Sequence, residues 1–329
     1  MSTRRVSNEW RWDDDGPPLA TVVVPALNAA GTIANTLRAL AQQDVEQPFE
    51  VVVVDDGSVD DTVAVAKMSL PAVRVIEQHR QGPGPARNSG AQIARASVLA
   101  FTDADCVPTP SWLRVGLSAL RQNDLIQGAV RPDPASPRGP FDHTVWVVRE
   151  SGLYETANLF ITRELFWRLE GFKDLLDARI GKPLAEDAWL GWRARRAGAR
   201  TAFCEDAVVH HAVLERGAGA YIQERLRAGY FPLIASSIPE LRDAFFWRRW
   251  FLSPRSAAFD VAALGAVLAI GKRKVFPLLL AGPYLRIAGR RALHWPRRAP
   301  VVLAADALAD FVAAAALTVG SVRARTPVI

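Results

Sequence analysis

Two cysteines, Cys106 and Cys204, are all that the 329 residues contain, which excludes a disulfide scaffold and any multi-cysteine zinc site. No Gly-Lys-Ser/Thr tripeptide occurs, so there is no P-loop. No Gly-x-Gly-x-x-Gly follows the first apolar run, so a dinucleotide fingerprint is lacking as well. Met1 to Gly16 is polar and charged with no apolar centre. A secretory leader is therefore not expected, and a cytosolic site of synthesis is. There is no internal repeat and no low-complexity tract beyond an enrichment in alanine. Half of the residues are hydrophobic and 22% are charged, which argues against disorder and for a sizeable core. The length suits one large domain or two ordinary ones.

The net charge of +6 is unevenly spread. Between Phe245 and Arg298 there are eleven basic residues and a single acid, Asp260, so this stretch carries +10 and the remainder −4. A mildly acidic body is followed by a basic, apolar tail, and that asymmetry is more informative than the isoelectric point.

Short apolar runs alternate with helical spacings through the first hundred residues. Leu19–Val24, Phe49–Val54, Val73–Ile76 and Val98–Thr102 read as buried strands, and Asn28–Gln42, Asp60–Met68 and Asn88–Ala96 as helices. Such alternation predicts βαβ units and a parallel sheet, with ligands outside the carboxyl ends of its strands. Further on, Trp146–Ile161 is expected to return to the sheet. Arg163–Leu169, Ala185–Ala197 and Ala220–Phe231 read as helices, and Thr201–Val209 as a strand.

The acids of this pattern sit at strand tips. Asp103-Ala104-Asp105 follows the fourth strand, and two carboxylates flanking a small residue suit Mg²⁺ or Mn²⁺, which take oxygen ligands and bridge to phosphates. Asp55-Asp56-Gly57-Ser58 ends the second strand; a carboxylate there can accept from a base or ribose, while Ser58 or Asp60 can equally cap the next helix. Gly82 to Gly90 is a loop turning into a helix, with Arg87 and backbone N–H groups suited to anions. Glu186-Asp187 opens a further helix, where acids also serve as dipole partners.

Together and in this order, Val22–Asn28, Val53–Ser58, Gly84–Gly90, Phe101–Asp105 and Glu186-Asp187 resemble the family 2 glycosyltransferases. The resemblance covers roughly residues 20–215. It implies an α/β fold of GT-A type, with a mainly parallel central sheet flanked by helices and a helical C-terminal tail. It implies a nucleotide-diphosphate-sugar donor, a hydroxyl acceptor, Mg²⁺ or Mn²⁺ and inversion at the anomeric carbon. By the same resemblance Asp56, with Asp55 beside it, is the nucleobase or ribose contact, and Pro25 and Asn28 line that pocket. Arg87 is a donor-side residue, Asp103 contacts ribose, sugar or metal, and Asp105 binds the metal. Asp187 is the general base, with Glu186 its competitor, and His210 or His211 completes the metal site. Alternating strand faces should turn one of those imidazoles inward and the other outward. The Gln-x-x-Arg-Trp of processive members is missing around Gln223–Arg227, which points to transfer of a single sugar.

The expected organisation is a polar lead-in over 1–18, a catalytic domain over 19–244 and a membrane-associating region over 245–329. In the last, Ala257–Ile270 is too short to span a bilayer. Val301–Val322 is long enough but carries Asp306 and Asp310 on one helix face. An amphipathic helix lying on the anionic inner leaflet is the simpler expectation, with a buried core helix next and a spanning or re-entrant hairpin open. Leu, Ala, Val and Phe between the basic residues argue against nucleic acid. The expected role is in cell-envelope or lipid-linked glycan synthesis. The alternatives are a nucleotidyltransferase that makes a nucleotide sugar, or a non-catalytic nucleotide-sugar-binding protein.

Overall fold

In the computed structural model, which describes residues 17–173, 175 and 185–329, the apolar runs form one mixed sheet of eight strands. These are β1 (Thr21–Ala26), β2 (Glu50–Asp55), β3 (Arg74–Glu77), β4 (Val98–Phe101), β5 (Cys106–Pro108), β6 (Leu125–Pro132), β7 (Leu159–Thr162) and β8 (Thr201–His211). Their order is β3-β2-β1-β4-β7-β6-β8-β5. The first four strands pair in parallel, β7 runs antiparallel between β4 and β6, β8 is parallel to β6, and β5 is antiparallel to β8. Most of the polar lead-in, up to residue 16, lies outside the described residues.

Local chemistry explains the departures from the expected elements. The helix anticipated from Asn88 begins at Pro83, as α3, because prolines fit a first helical turn; α1 (Ile33–Ala41) and α2 (Thr62–Ser69) precede it. Of Trp146–Ile161 only the end becomes strand, and β6 was hidden because Gln127 and Gly128 interrupt its apolar run. Gly128 is required there: a Cβ would collide with the Asn158 amide. That amide donates to the carbonyls of Ala129 (2.8 Å) and Ala207 (2.7 Å) and accepts from Trp112 Nε1 (2.8 Å), filling the register shift between β6 and β8. Helices α4 (Trp112–Leu120), α5 (Arg163–Arg168) and α6 (Glu186–Arg196) complete this set.

The chain divides into two compact units. The sheet unit comprises the residues up to Ser136 and Thr144–Ala212. Its core is Val22, Val24, Val51 and Val53 against Ile33, Leu37 and Leu40, all buried. Helix α3 lies flat on the sheet because Gly90 has no side chain to hold it off Val23 and Val54.

The other unit, Pro137–His143 and Val213–Ile329, is helical. It contains α7 (Ala218–Glu224), a 3₁₀ segment Arg225–Tyr230, α8 (Phe231–Ser237), α9 (Leu241–Ala244), α10 (Pro254–Lys272), a 3₁₀ segment Phe276–Ala281, α11 (Gly282–Leu293) and α12 (Ala299–Ala324). A Ser253 capping box starts α10 ahead of the apolar run. Asp306 and Asp310 do share a face of α12, and that face is packed. Asp306 is fully buried and takes hydrogen bonds from Tyr221 Oη (3.0 Å) and Arg291. Asp310 holds Arg255 through two nitrogens and accepts from Tyr284 Oη (2.8 Å). Two segments, Pro254–Lys272 and Pro296–Ala324, are long and apolar enough to cross a membrane by length and composition.

Gly90→Val tests the flat packing of α3. Overpacking of this kind costs about 1–3 kcal/mol, so a thermal melt should drop by several degrees; an unchanged melt would mean that α3 can lift without penalty.

Candidate active site

Four tips along the carboxyl side of the sheet carry the candidate residues. At the tip of β1, Pro25 is half-buried and Asn28 adopts a left-handed φ of 50°. Asn28 ties itself to the loop after β2: its N–H donates to Ser58 Oγ (2.8 Å) and its Oδ1 accepts from Val59 N–H (2.9 Å). Asp55 and Asp56 end β2 and are both buried. Asp56 is engaged by the protein itself, accepting from Gln78 Nε2 (2.7 Å), Gln81 N–H (2.9 Å) and Gly82 N–H (2.8 Å). It thereby fixes the loop that enters α3. Asp55 accepts from Ser58 N–H (3.1 Å) through Oδ2, and its Oδ1 has no partner.

The Arg87-Asn88 pair on α3 does two distinct jobs. Asn88 clamps the backbone of Phe172, donating to its carbonyl (2.9 Å) and accepting from its N–H (2.9 Å). Arg87 is almost wholly buried and lies between two acids, 2.7 Å from Asp103 Oδ1 and 3.7 Å from Glu186 Oε1.

Beyond β4, pairing of β5 with β8 sets Cys106 directly opposite His211. One ligand atom each from Asp103, Asp105, Cys106 and His211 falls within 4.8 Å of the others. His211 Nδ1 donates to the Ala212 carbonyl (2.8 Å), which turns Nε2 toward Asp105 Oδ2 at 3.6 Å, too far for a hydrogen bond. Two carboxylates and an imidazole are donor types that suit Mn²⁺ or Mg²⁺. The Cys106 thiol is pushed well above its ordinary range by burial and by the charges of Asp103 and Asp105, so it stays protonated beneath the cluster. His210 points to the other face of β8, near the Pro132 carbonyl at 3.4 Å, and is not in the cluster. The structure thus brings together Asp103, Asp105 and His211 and leaves His210 out.

Glu186 and Asp187 open α6 behind Ala185, whose φ of 52° is left-handed. The Asp187 carboxyl is pushed up to about 8, first by burial, then by the charge of Glu186 and that of Glu155. Glu155 had no sequence signal. It lies just before β7, takes a hydrogen bond from Gln127, and is itself raised by burial. Only the fold could reveal it, since nothing about an isolated Glu-Thr-Ala-Asn run marks a site.

The raised Asp187 makes a signed expectation. In the unfolded chain this carboxyl ionises near 3.8, and in the folded protein near 8, so folding retains a proton that unfolding releases. Stability contributed here is present at low pH and lost as pH climbs from about 4 to about 8. Asp187→Asn removes that loss: its melting temperature should match the wild type near pH 4 and exceed it by several degrees at pH 9. Equal melting curves at pH 9 would show that Asp187 ionises normally.

Comparison with known proteins agrees with this geometry. Residues 21–172 match the family described as Glycosyl transferase family 2. The chain is 29% identical over 227 residues to the glycosyltransferase AglE of Haloferax volcanii, covering 64% of this chain and 72% of AglE. It is 47% identical over 103 residues to the succinoglycan biosynthesis protein ExoO of Rhizobium meliloti, covering 30% of this chain and 29% of ExoO. Among solved structures, the mannosyltransferase PcManGT of Pyrobaculum calidifontis, in complex with GDP-Man and Mn²⁺, superposes with a TM-score of 0.54 at 23% identity, covering 92% of this chain and 87% of that one. Sequence motifs, sheet and relatives agree: residues 21–172 match Glycosyl transferase family 2, and the chain has the GT-A fold.

Proposed function

We propose that the chain is a metal-dependent inverting glycosyltransferase that moves one sugar from a nucleoside-diphosphate-sugar to an acceptor hydroxyl. The observation that carries this reading is the pairing of a hard-donor cluster, Asp103, Asp105 and His211, with a raised carboxyl, Asp187, linked through Arg87 and Glu186. A relative named as a glycosyltransferase, another named for succinoglycan biosynthesis, and the GDP-Man and Mn²⁺ of the mannosyltransferase support it. Asp103, Asp105 and His211 would hold a divalent cation, Mn²⁺ or Mg²⁺. A cation there supplies charge to offset that developing on a departing diphosphate.

The remaining work falls to the chain's own side chains. Pro25, Asn28 and Asp55 line the nucleotide end, and the unpartnered Asp55 Oδ1 is the acceptor atom available to a base or ribose donor. Asp56 acts one step back, holding the Gln78–Gly82 loop in place. Arg87 orients Asp103 and keeps Glu186 from repelling it. Asp187, ionised, takes the proton from the acceptor oxygen as that oxygen attacks the anomeric carbon; the bond to the diphosphate breaks on the opposite face, and configuration inverts. Neighbouring acids raise its basicity, which is what proton abstraction from a hydroxyl requires. Glu186, salt-bridged to Arg87, is the weaker candidate for that step.

We assign residues 19–244 as the catalytic domain and 245–329 as a region that docks peripherally on the anionic inner face of the cell membrane, for an envelope or lipid-linked acceptor. Support comes from the helical unit, where Ile270, Val275, Phe276 and Leu279 are each more than 70% exposed around Lys272, Arg273 and Lys274. Basic residues at such a surface contribute about 1 kcal/mol each.

Release of nucleoside diphosphate, measured with sugar donors and Mn²⁺, tests the reading. Asp105→Asn and Asp187→Asn should each lower transfer by a hundred- to ten-thousand-fold, on the order of the loss when a general base is removed. Full activity in either variant removes that residue from the mechanism. In the wild type kcat/KM should rise with pH through about 8, as Asp187 loses its proton; a profile flat from pH 6 to pH 9 would exclude Asp187 as the base.

A further inference from the structure

The helical unit contains a charged cavity whose lining includes none of the candidate active-site residues. Its volume is about 300 Å³, and its walls come from the Arg225–Tyr230 segment, the start of α10 and the middle of α12. Three guanidinium groups, Arg225, Arg227 and Arg255, and two carboxylates, Glu224 and Asp310, line it. Charge bookkeeping within these walls is uneven. Asp310 is consumed by Arg255, 2.7 Å away, and by Tyr284. Glu224 is consumed by Arg216 at 3.0 Å and His143 at 3.2 Å. Among the described residues Arg225 and Arg227 pair with no carboxylate. Arg225 rests over the Tyr221 ring at 4.6 Å, and its Nε is buried without a partner. Two positive charges are thus left facing one cavity.

The backbone beneath them is closely packed. Gly229 and Gly320 let the 3₁₀ segment and α12 touch; a Cβ on Gly320 would run into the Gly229 carbonyl. Arginines on such a base lose little freedom when they grip a planar or tetrahedral anion, and guanidinium forks suit phosphate oxygens. The same two helices expose apolar side chains: Val261 and Leu264 on α10, Leu308 and Phe311 on α12. A free anion has no use for that surface, whereas an acyl-chain molecule does.

We propose that this cavity binds the phosphate of an anionic membrane lipid. It gives the peripheral docking region a specific headgroup seat beside its diffuse positive charge. The binding is read with no sugar donor or acceptor present, so it stands or falls apart from the transferase reading.

The test uses the full chain and vesicles of phosphatidylcholine, with and without about a fifth of phosphatidic acid. Arg225→Lys/Arg227→Lys keeps every charge but loses the fork. Wild type should favour the phosphatidic acid vesicles about tenfold or more, the double variant should lose most of that preference, and inorganic phosphate should weaken wild-type binding. Arg227→Lys alone, at an exposed side chain, should show a smaller loss of the same kind should the double variant prove unfolded by circular dichroism. Unchanged preference in a folded double variant, or in Arg227→Lys where the double variant is unfolded, would reduce the effect to general surface charge and overturn the site. Inorganic phosphate that raises the wild-type melting temperature while leaving vesicle binding untouched would make the ligand a free phosphate and overturn the lipid assignment.

Discussion

Everything at the carboxyl edge of the sheet depends on Arg87. Asp103 and Glu186 come from distant parts of the chain, and bringing them near one another would be repulsive in a partly dry site. One buried guanidinium lies between them and makes the approach tolerable. Its position is in turn set by backbone packing: Gly90 lets α3 lie on β1 and β2, and Asn88 clamps Phe172. A single positive charge cannot neutralise all the acids assembled there. The Asp187 carboxyl is raised first by burial and then by the charges of Glu186 and Glu155, which Arg87 offsets only in part.

The helical unit solves the opposite problem. It is rich in arginine, and it places two aspartates at i, i+4 on α12 so that both meet arginines: Asp306 with Arg291 and Asp310 with Arg255. Removing one partner of such buried pairs is costly, so the pairs fix how α10, α11 and α12 sit against one another.

Legibility in the sequence followed from how local each signal was. The strand tips were readable because Val-Val-Val-Val followed by Asp-Asp, or Phe-Thr followed by Asp-Ala-Asp, joins a short continuous apolar run to an abrupt polar stop. The inward and outward division of His210 and His211 was readable from strand alternation, but which one joins Asp105 required the register of β5 on β8. Cys106, Glu155 and Gln127 gave no signal, since their roles come from pairing across long separations. Asp56 looked like the ligand contact, and its three protein partners come from a loop more than twenty residues further on. The aspartates of α12 suited an interfacial helix first and a buried core helix next; their partners, Arg255 and Arg291, lie too far away in the chain to be read from it.

The central claim is that Asp103, Asp105 and His211 form one cation site that is shared with a nucleoside diphosphate. The most direct measurement is Mn²⁺ affinity by electron paramagnetic resonance, alone and with saturating GDP or UDP, in the wild type and in His211→Ala. The expected result is that one of the two nucleotides tightens Mn²⁺ by about tenfold, with reciprocal tightening of the nucleotide by Mn²⁺, and that His211→Ala weakens both. Mn²⁺ binding that is indifferent to both nucleotides, or unchanged in His211→Ala, would contradict the account.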